Sequence, residues 1–226
     1  MAEFKNQEFF GGSIRGVVPK NWIDASTLRE IPDHQELFLS PSTLSNLIIE
    51  INQRVSAEDA LSTFATLSQQ QPTLAAEDSA ASATPNFVDK AAALYHLNDL
   101  CDEGDSMQVV TLPQRVSPGR LAATAPPGSQ VTMYKGVVLF LNAPRQRGGQ
   151  FAPVSATNQP TKLTCHYLIV RLESQETDLL VFSNVPHEEF EKAGNVAGLN
   201  GEETVAEDTV SALVEKIEIC DWGLFV

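Results

Sequence analysis

The stretch VTMYKGVVLFLNAP (131–144) is a β-branched and aromatic run broken by one glycine and closed by proline. MQVVTLP (107–113), KLTCHYLIVRLES (162–174) and TDLLVFSNVP (177–186) repeat that composition between polar clusters. Branched and aromatic side chains fit a pleated surface, so these four runs predict the strands of one antiparallel sheet.

Toward the N-terminus, Ile14 and Val18 of SIRGVV (13–18) bracket a period-2 pattern that stops at Pro19, and QELFLS (35–40) reads as a further strand. A turn or short helix is expected around Asp24 to Leu28. Ser40 followed by Pro41 suits a helix start, and Leu44, Leu47, Ile48, Ile51 and Val55 recur at the spacing of one helical face. PSTLSNLIIEINQRV (41–55) is therefore expected to be an amphipathic helix, with Asn46, Glu50 and Gln53 on its polar side. SAED (56–59) caps a second helix running through about Leu67. In QQQPTLAAEDSAASATPN (69–86) Leu74 is the one large apolar residue, too little to offset the entropy of ordering the segment, so a disordered insertion is expected there. DKAAALYHLNDLCDEGD (89–105) begins as a helix, and its periodicity leaves open a passage into a strand near Tyr95. TVAEDTVSALVEKI (204–217) reads as a closing helix, with Thr204 and Glu207 as a capping box and Val210, Leu213, Val214 and Ile217 as its apolar face. Helices before and after a run of strands predict an α+β architecture with helices packed on the sheet.

The 226 residues, 42% of them hydrophobic, fit one large domain, and two small ones are not required. Against 15 basic residues stand 29 acidic ones, a net charge of −14 that repels phosphate backbones and anionic lipid. The expected partners exclude nucleic acid and membrane and favour a basic protein. The longest apolar run, GVVLFL (136–141), falls far short of the roughly 20 residues of a membrane span. The start MAEFKNQEFFGG has no basic region followed by an apolar one, so the expectation is a chain that stays inside the cell. Three cysteines, Cys101, Cys165 and Cys220, fit a reducing compartment and are expected to be buried or half-buried thiols.

Bond-making chemistry finds little support. No glycine run precedes a Lys-Ser or Lys-Thr pair, no Gly-x-Ser-x-Gly elbow occurs, and no Cys or His pair has metal-ligand spacing. His34, His96, His166 and His187 are isolated in sequence, and Cys165 and His166, as neighbours in a strand, point to opposite faces. The expectation is a protein with no catalytic residue, cofactor or metal. The charged residues of IDASTLREIPDHQELF (23–38) stand out instead, as a candidate docking surface.

FFGGSIRGVVPKNWIDASTLREIPDHQELFLSP (9–41), followed by NLIIEINQ (46–53), closely resembles the start of the Ran guanine nucleotide release factor family, the Mog-type Ran-binding proteins. Aromatic-Gly-Gly, Ile-Asp-Ala-Ser, Leu-Arg, Pro-Asp and Gln-Glu occur in the family's order and spacing. YHLNDL (95–100) and LIVRLESQETDLLVFSNVP (168–186) resemble later family segments, and 145–161 looks like a long loop. The resemblance implies an α/β/α sandwich with a mostly antiparallel sheet, the Mog/PsbP-like fold, over 1–226. It also implies binding to the small GTPase Ran, release of its guanine nucleotide, a role in nuclear protein import, and residence in nucleus and cytoplasm. A monomer is expected, with other Ran-binding proteins as further partners. In the family, two acids one helical turn apart on the first long helix contribute to Ran binding. The first matches Glu50, and the second falls on Gln53, which is neutral. Asp24, Arg29, Asp33, Gln35 and Glu36 match family positions placed on the same surface, with Ile23, Leu28, Ile31 and Phe38 expected to anchor that segment to the core. Two rivals remain open at this point: an adaptor that holds Ran or another basic partner without affecting nucleotide, and a small-molecule enzyme or carrier on the same fold.

Overall fold

The computed structural model describes residues 2–75, 84–144 and 160–225. Its strands, in chain order, are β1 (Phe4–Phe9), β2 (Ile14–Pro19), β3 (Ile23–Asp24), β4 (Gln35–Leu39), β5 (Asn46–Gln53), β6 (Ser106–Val116), β7 (Val131–Asn142), β8 (Thr161–Leu172), β9 (Thr177–Pro186) and β10 (Glu218–Ile219). The helices are α1 (Ala57–Gln70), α2 (Pro72–Ala75), α3 (Pro85–Asp99), α4 (Gly119–Thr124), α5 (Glu188–Ala193) and α6 (Val196–Lys216). The four β-branched runs read from the sequence become β6 to β9, four of the seven strands of an antiparallel sheet in the order β3-β4-β5-β9-β8-β7-β6. A second, three-stranded sheet runs β1-β2-β10.

One apolar cluster, carrying Phe64, Phe87, Leu94 and Tyr167, seals α1 and α3 to one face of the large sheet. The other, carrying Phe9, Val17, Phe38, Leu47 and Leu213, seals α6 and the small sheet to the opposite face. The fold is therefore an α+β sandwich with a mostly antiparallel centre.

The expected helix over 41–55 is corrected: it is a bend followed by strand β5. A central strand covered on both faces carries apolar side chains on both, and here that run mimics a helical stripe. Leu47, Ile49 and Ile51 pack in the α6-side cluster and Ile48 in the α1/α3 cluster, while Leu44 projects from the preceding bend at 57% exposure. Ser56 does cap α1, its hydroxyl accepting from the Asp59 N–H at 3.1 Å. The open reading at Tyr95 resolves to helix, α3 continuing to Asp99. The capping box at Thr204 is also corrected. Helix α6 begins eight residues earlier, where Asn195 Oδ1 accepts from the Gly198 N–H, and Thr204 lies inside it with its hydroxyl donating to the Asn200 carbonyl. Of the expected insertion at 69–86, residues 76–83 lie outside the described residues, as does almost all of 145–161; the expected disorder is corrected for the rest, where Gln69 and Gln70 close α1, Pro72–Ala75 form α2 and Pro85 opens α3. At its edge Leu74 is fully buried in α2, and the Gln71 side chain bonds the β6 backbone at Met107 O and Val109 N. Of the thiols, Cys165 is buried and Cys101 half-buried, but Cys220 is exposed.

A buried ionic network ties the α1/α3 layer to the sheet. Arg171 and Asp178 face each other across β8 and β9, at 2% and 0% exposure. The Arg171 guanidinium donates through Nε to Asp178 Oδ1 (3.0 Å), through Nη1 to Asp89 Oδ1 of α3 (2.9 Å) and through Nη2 to the Val55 carbonyl (2.9 Å). Asp178 Oδ2 takes the Val55 N–H (3.0 Å) and meets His96 Nε2 of α3 (2.8 Å). Burial would push the Asp178 carboxyl up, yet His96, Arg171 and the Val55 N–H together hold it below the usual carboxylate value.

Gly136 of β7 lies opposite Tyr167, and a Cβ there would strike the Tyr167 hydroxyl and approach the Thr111 carbonyl to 2.8 Å. Backbone cannot yield cheaply, so Gly136→Ala is expected to destabilise by about 1–3 kcal/mol. A denaturant midpoint unchanged from that of the parent chain would refute this.

Candidate functional site

Residues of the 23–38 stretch, with the end of β1, enclose a cleft of about 430 Å³. Glu8, Asp24, Glu30, Asp33 and Glu36 bring five acidic residues to its lining against one basic residue, Arg29, with Glu8 itself paired to Arg15 at 3.2 Å. Ser26, Ile31, Pro32, Gln35, Phe10 and Gly11 complete it.

Local chemistry fixes this shape. Asp24 Oδ1 accepts from the Ser26 N–H (2.8 Å), the Thr27 hydroxyl donates to the Asp24 carbonyl (2.7 Å), and a 3-10 turn over Ala25–Thr27 follows. Aspartate is suited to the task because its short side chain reaches the N–H two residues on. Across the cleft the chain turns at Phe10, Gly11 and Gly12, all at positive φ (50°, 64° and 92°). The phenylalanine is the strained member, and its N–H donates to Glu36 Oε1. Burial raises the Glu36 carboxyl above its ordinary value; the Phe10 N–H opposes that rise and the Asp24 charge adds to it.

The structure brings together five of the seven expected site residues, since Asp24, Arg29, Asp33, Gln35 and Glu36 all line the cleft. Glu50 joins them at one remove: it pairs with Gln35 across β4 and β5, and the Gln35 amide donates to Glu50 Oε1. Gln53 does not join them. The helical turn expected to unite Glu50 and Gln53 is absent, and residues three apart on a strand point to opposite faces. Glu50 lies on the Ile48 side of β5, and Gln53 on the Ile51 side, exposed. Glu30 was covered only as one of the charges of the 23–38 stretch. Sequence reasoning missed Glu8, although it directly precedes the aromatic-Gly-Gly motif.

The anchors also need correction. Ile23 is 41% and Leu28 66% exposed, and Ile31 is half-buried; the segment is held by Trp22, Ala25 and Phe38. Phe38 stacks edge-on against Phe9 with centroids 5.7 Å apart.

Two histidines isolated in sequence meet in space: Glu203 of α6 bonds His166 Nε2 (2.7 Å) and lies 3.4 Å from His187 Nε2, which bonds the Thr164 hydroxyl. This cluster pins α6 to β8 and to the start of α5. Among the described residues no group of three His, Cys, Asp or Glu side chains is arranged to hold a metal ion, and no helix is long and apolar enough to cross a membrane.

A family model described as Ran-interacting Mog1 protein matches residues 7–186. The Ran guanine nucleotide release factor of Danio rerio is 27% identical over 183 residues, covering 80% of this chain and 78% of that protein. The probable ran guanine nucleotide release factor of Dictyostelium discoideum is 40% identical over a shorter stretch of 50 residues, 22% of this chain and 26% of the relative. The crystal structure of the Saccharomyces cerevisiae Ran-binding protein Mog1p superposes with a TM-score of 0.57 over the whole of both chains at 20% identity, a likeness of fold.

Proposed function

The chain belongs to the Ran-interacting Mog1 family, and from that premise we propose that it binds the GTPase Ran through the acidic cleft and promotes release of the bound guanine nucleotide, in support of nuclear protein import. The observation that carries this reading is the convergence of five acidic residues on one concave surface. Charges of one sign lining a cleft focus the field and capture a partner of opposite sign. The names of the relatives, release factors in Danio rerio and Dictyostelium discoideum, support the exchange activity.

No covalent step is required. A protein that binds nucleotide-free Ran more tightly than loaded Ran drives release by that difference alone. Glu50, held against Gln35, adds a further carboxylate next to a residue of the cleft lining. In a direct test, Ran loaded with a fluorescent guanine nucleotide is mixed with excess unlabelled nucleotide, and the fluorescence decay is followed with and without this protein. An accelerated decay is expected. Equal decays alongside measurable binding would leave an adaptor and remove the exchange activity.

A further inference from the structure

Resting on the Ran reading, we infer that Leu28 is an apolar knob that inserts into a socket on the GTPase, with the exposed Ile23 of the same segment adding apolar surface, and that the acidic cleft engages lysines or arginines rimming that socket. Leu28 is 66% and Ile23 41% exposed, although both belong to a segment whose neighbours Trp22 and Ala25 are buried. The position of Leu28 is not slack. Its N–H donates to the Ala25 carbonyl (2.9 Å), the Arg29 N–H donates to the same carbonyl (3.1 Å), and the turn itself is clamped by Asp24. The backbone that carries the leucine into water is thus fixed, and a segment whose backbone is ordered in advance loses less entropy on docking.

Its surroundings name the occupant's chemistry. In the chain Leu28 precedes Arg29 and follows Ser26 by two residues, and Ile23 precedes Asp24; Asp24, Ser26 and Arg29 all line the cleft. An apolar anchor beside a polar, charged rim is the arrangement of a protein–protein hot spot, in which the anchor sets the dissociation rate and the rim steers approach. The cleft is acidic, so a socket ringed by acids would be repelled and one ringed by bases drawn in.

The test measures Ran affinity by fluorescence anisotropy for the parent chain, Leu28→Ser and Leu28→Met, each across a salt series. Leu28→Ser is expected to raise Kd roughly 10- to 100-fold by losing the buried leucine, chiefly through faster dissociation, with the salt slope unchanged. Leu28→Met, which keeps the apolar volume, is expected to stay within about threefold. Tm should not move for either, since the side chain is exposed. If the parent binds Ran and Leu28→Ser binds equally well, the knob is refuted and the Ran reading stands. If the parent does not bind Ran, both fall.

Discussion

Arg171→Leu is expected to cost about 3–5 kcal/mol of folding stability, far more than the loss of a surface ion pair. The guanidinium answers two carboxylates, Asp178 and Asp89, and the Val55 carbonyl from a site 2% exposed. Leucine would fill part of the volume but leave both acids facing each other without their cation. The acid dependence follows from the sign of the Asp178 shift. Its folded value lies below the ordinary carboxylate value, so the contribution of Asp178 is fully present above about pH 4 and is lost as pH falls through the folded value. Removing Arg171 takes away one of the groups that depress it and moves the acid limb of the stability curve to higher pH. Chemical denaturation at pH 7, together with melting curves between pH 7 and pH 3, reads both effects. A loss below about 1 kcal/mol at pH 7 would mean that the network is replaceable.

The second large effect concerns recognition. Glu30→Lys combined with Asp33→Lys is expected to slow Ran association by about 100-fold at low salt, an effect that shrinks as salt screens the field. These two acids are the right ones to reverse because both are exposed, whereas Asp24 caps a turn and Glu36 holds the Phe10 N–H. Reversing them should leave Tm unchanged, so weakened binding could not be blamed on unfolding. Stopped-flow association rates over a salt series decide the matter. Rates identical to those of the parent at every salt concentration would move the Ran surface away from this cleft.

Strands β6 to β9 were legible because their β-branched runs are long and separated by polar residues. Strand β5 was not, since a strand sandwiched between two layers loses the alternation that identifies one, and its apolar residues fell by chance on a helical spacing. The true start of α6 was hidden for another reason: Gly198 and Gly201 weaken its helical signal, and the Thr204–Glu207 pair imitates a cap farther on. The ionic network could not be read at all, because Asp89, Arg171 and Asp178 are brought together by tertiary structure alone. For the cleft, the clustering of charge in 23–38 was visible, and so was the family resemblance that gave it a role. What could not be seen was which apolar residues of that stretch face inward, since a tight turn reverses side-chain direction without any periodic pattern.

The pairing of β5 with β9, Glu50 opposite Leu180, spans most of the chain. While the protein is being made on the ribosome, β5 therefore waits with one border open until residues 177–186 emerge. The platform beneath the cleft is among the last parts of the sheet to close, and the carboxylates of Glu36 and Glu50 help keep the waiting ribbon from annealing to a neighbouring nascent chain.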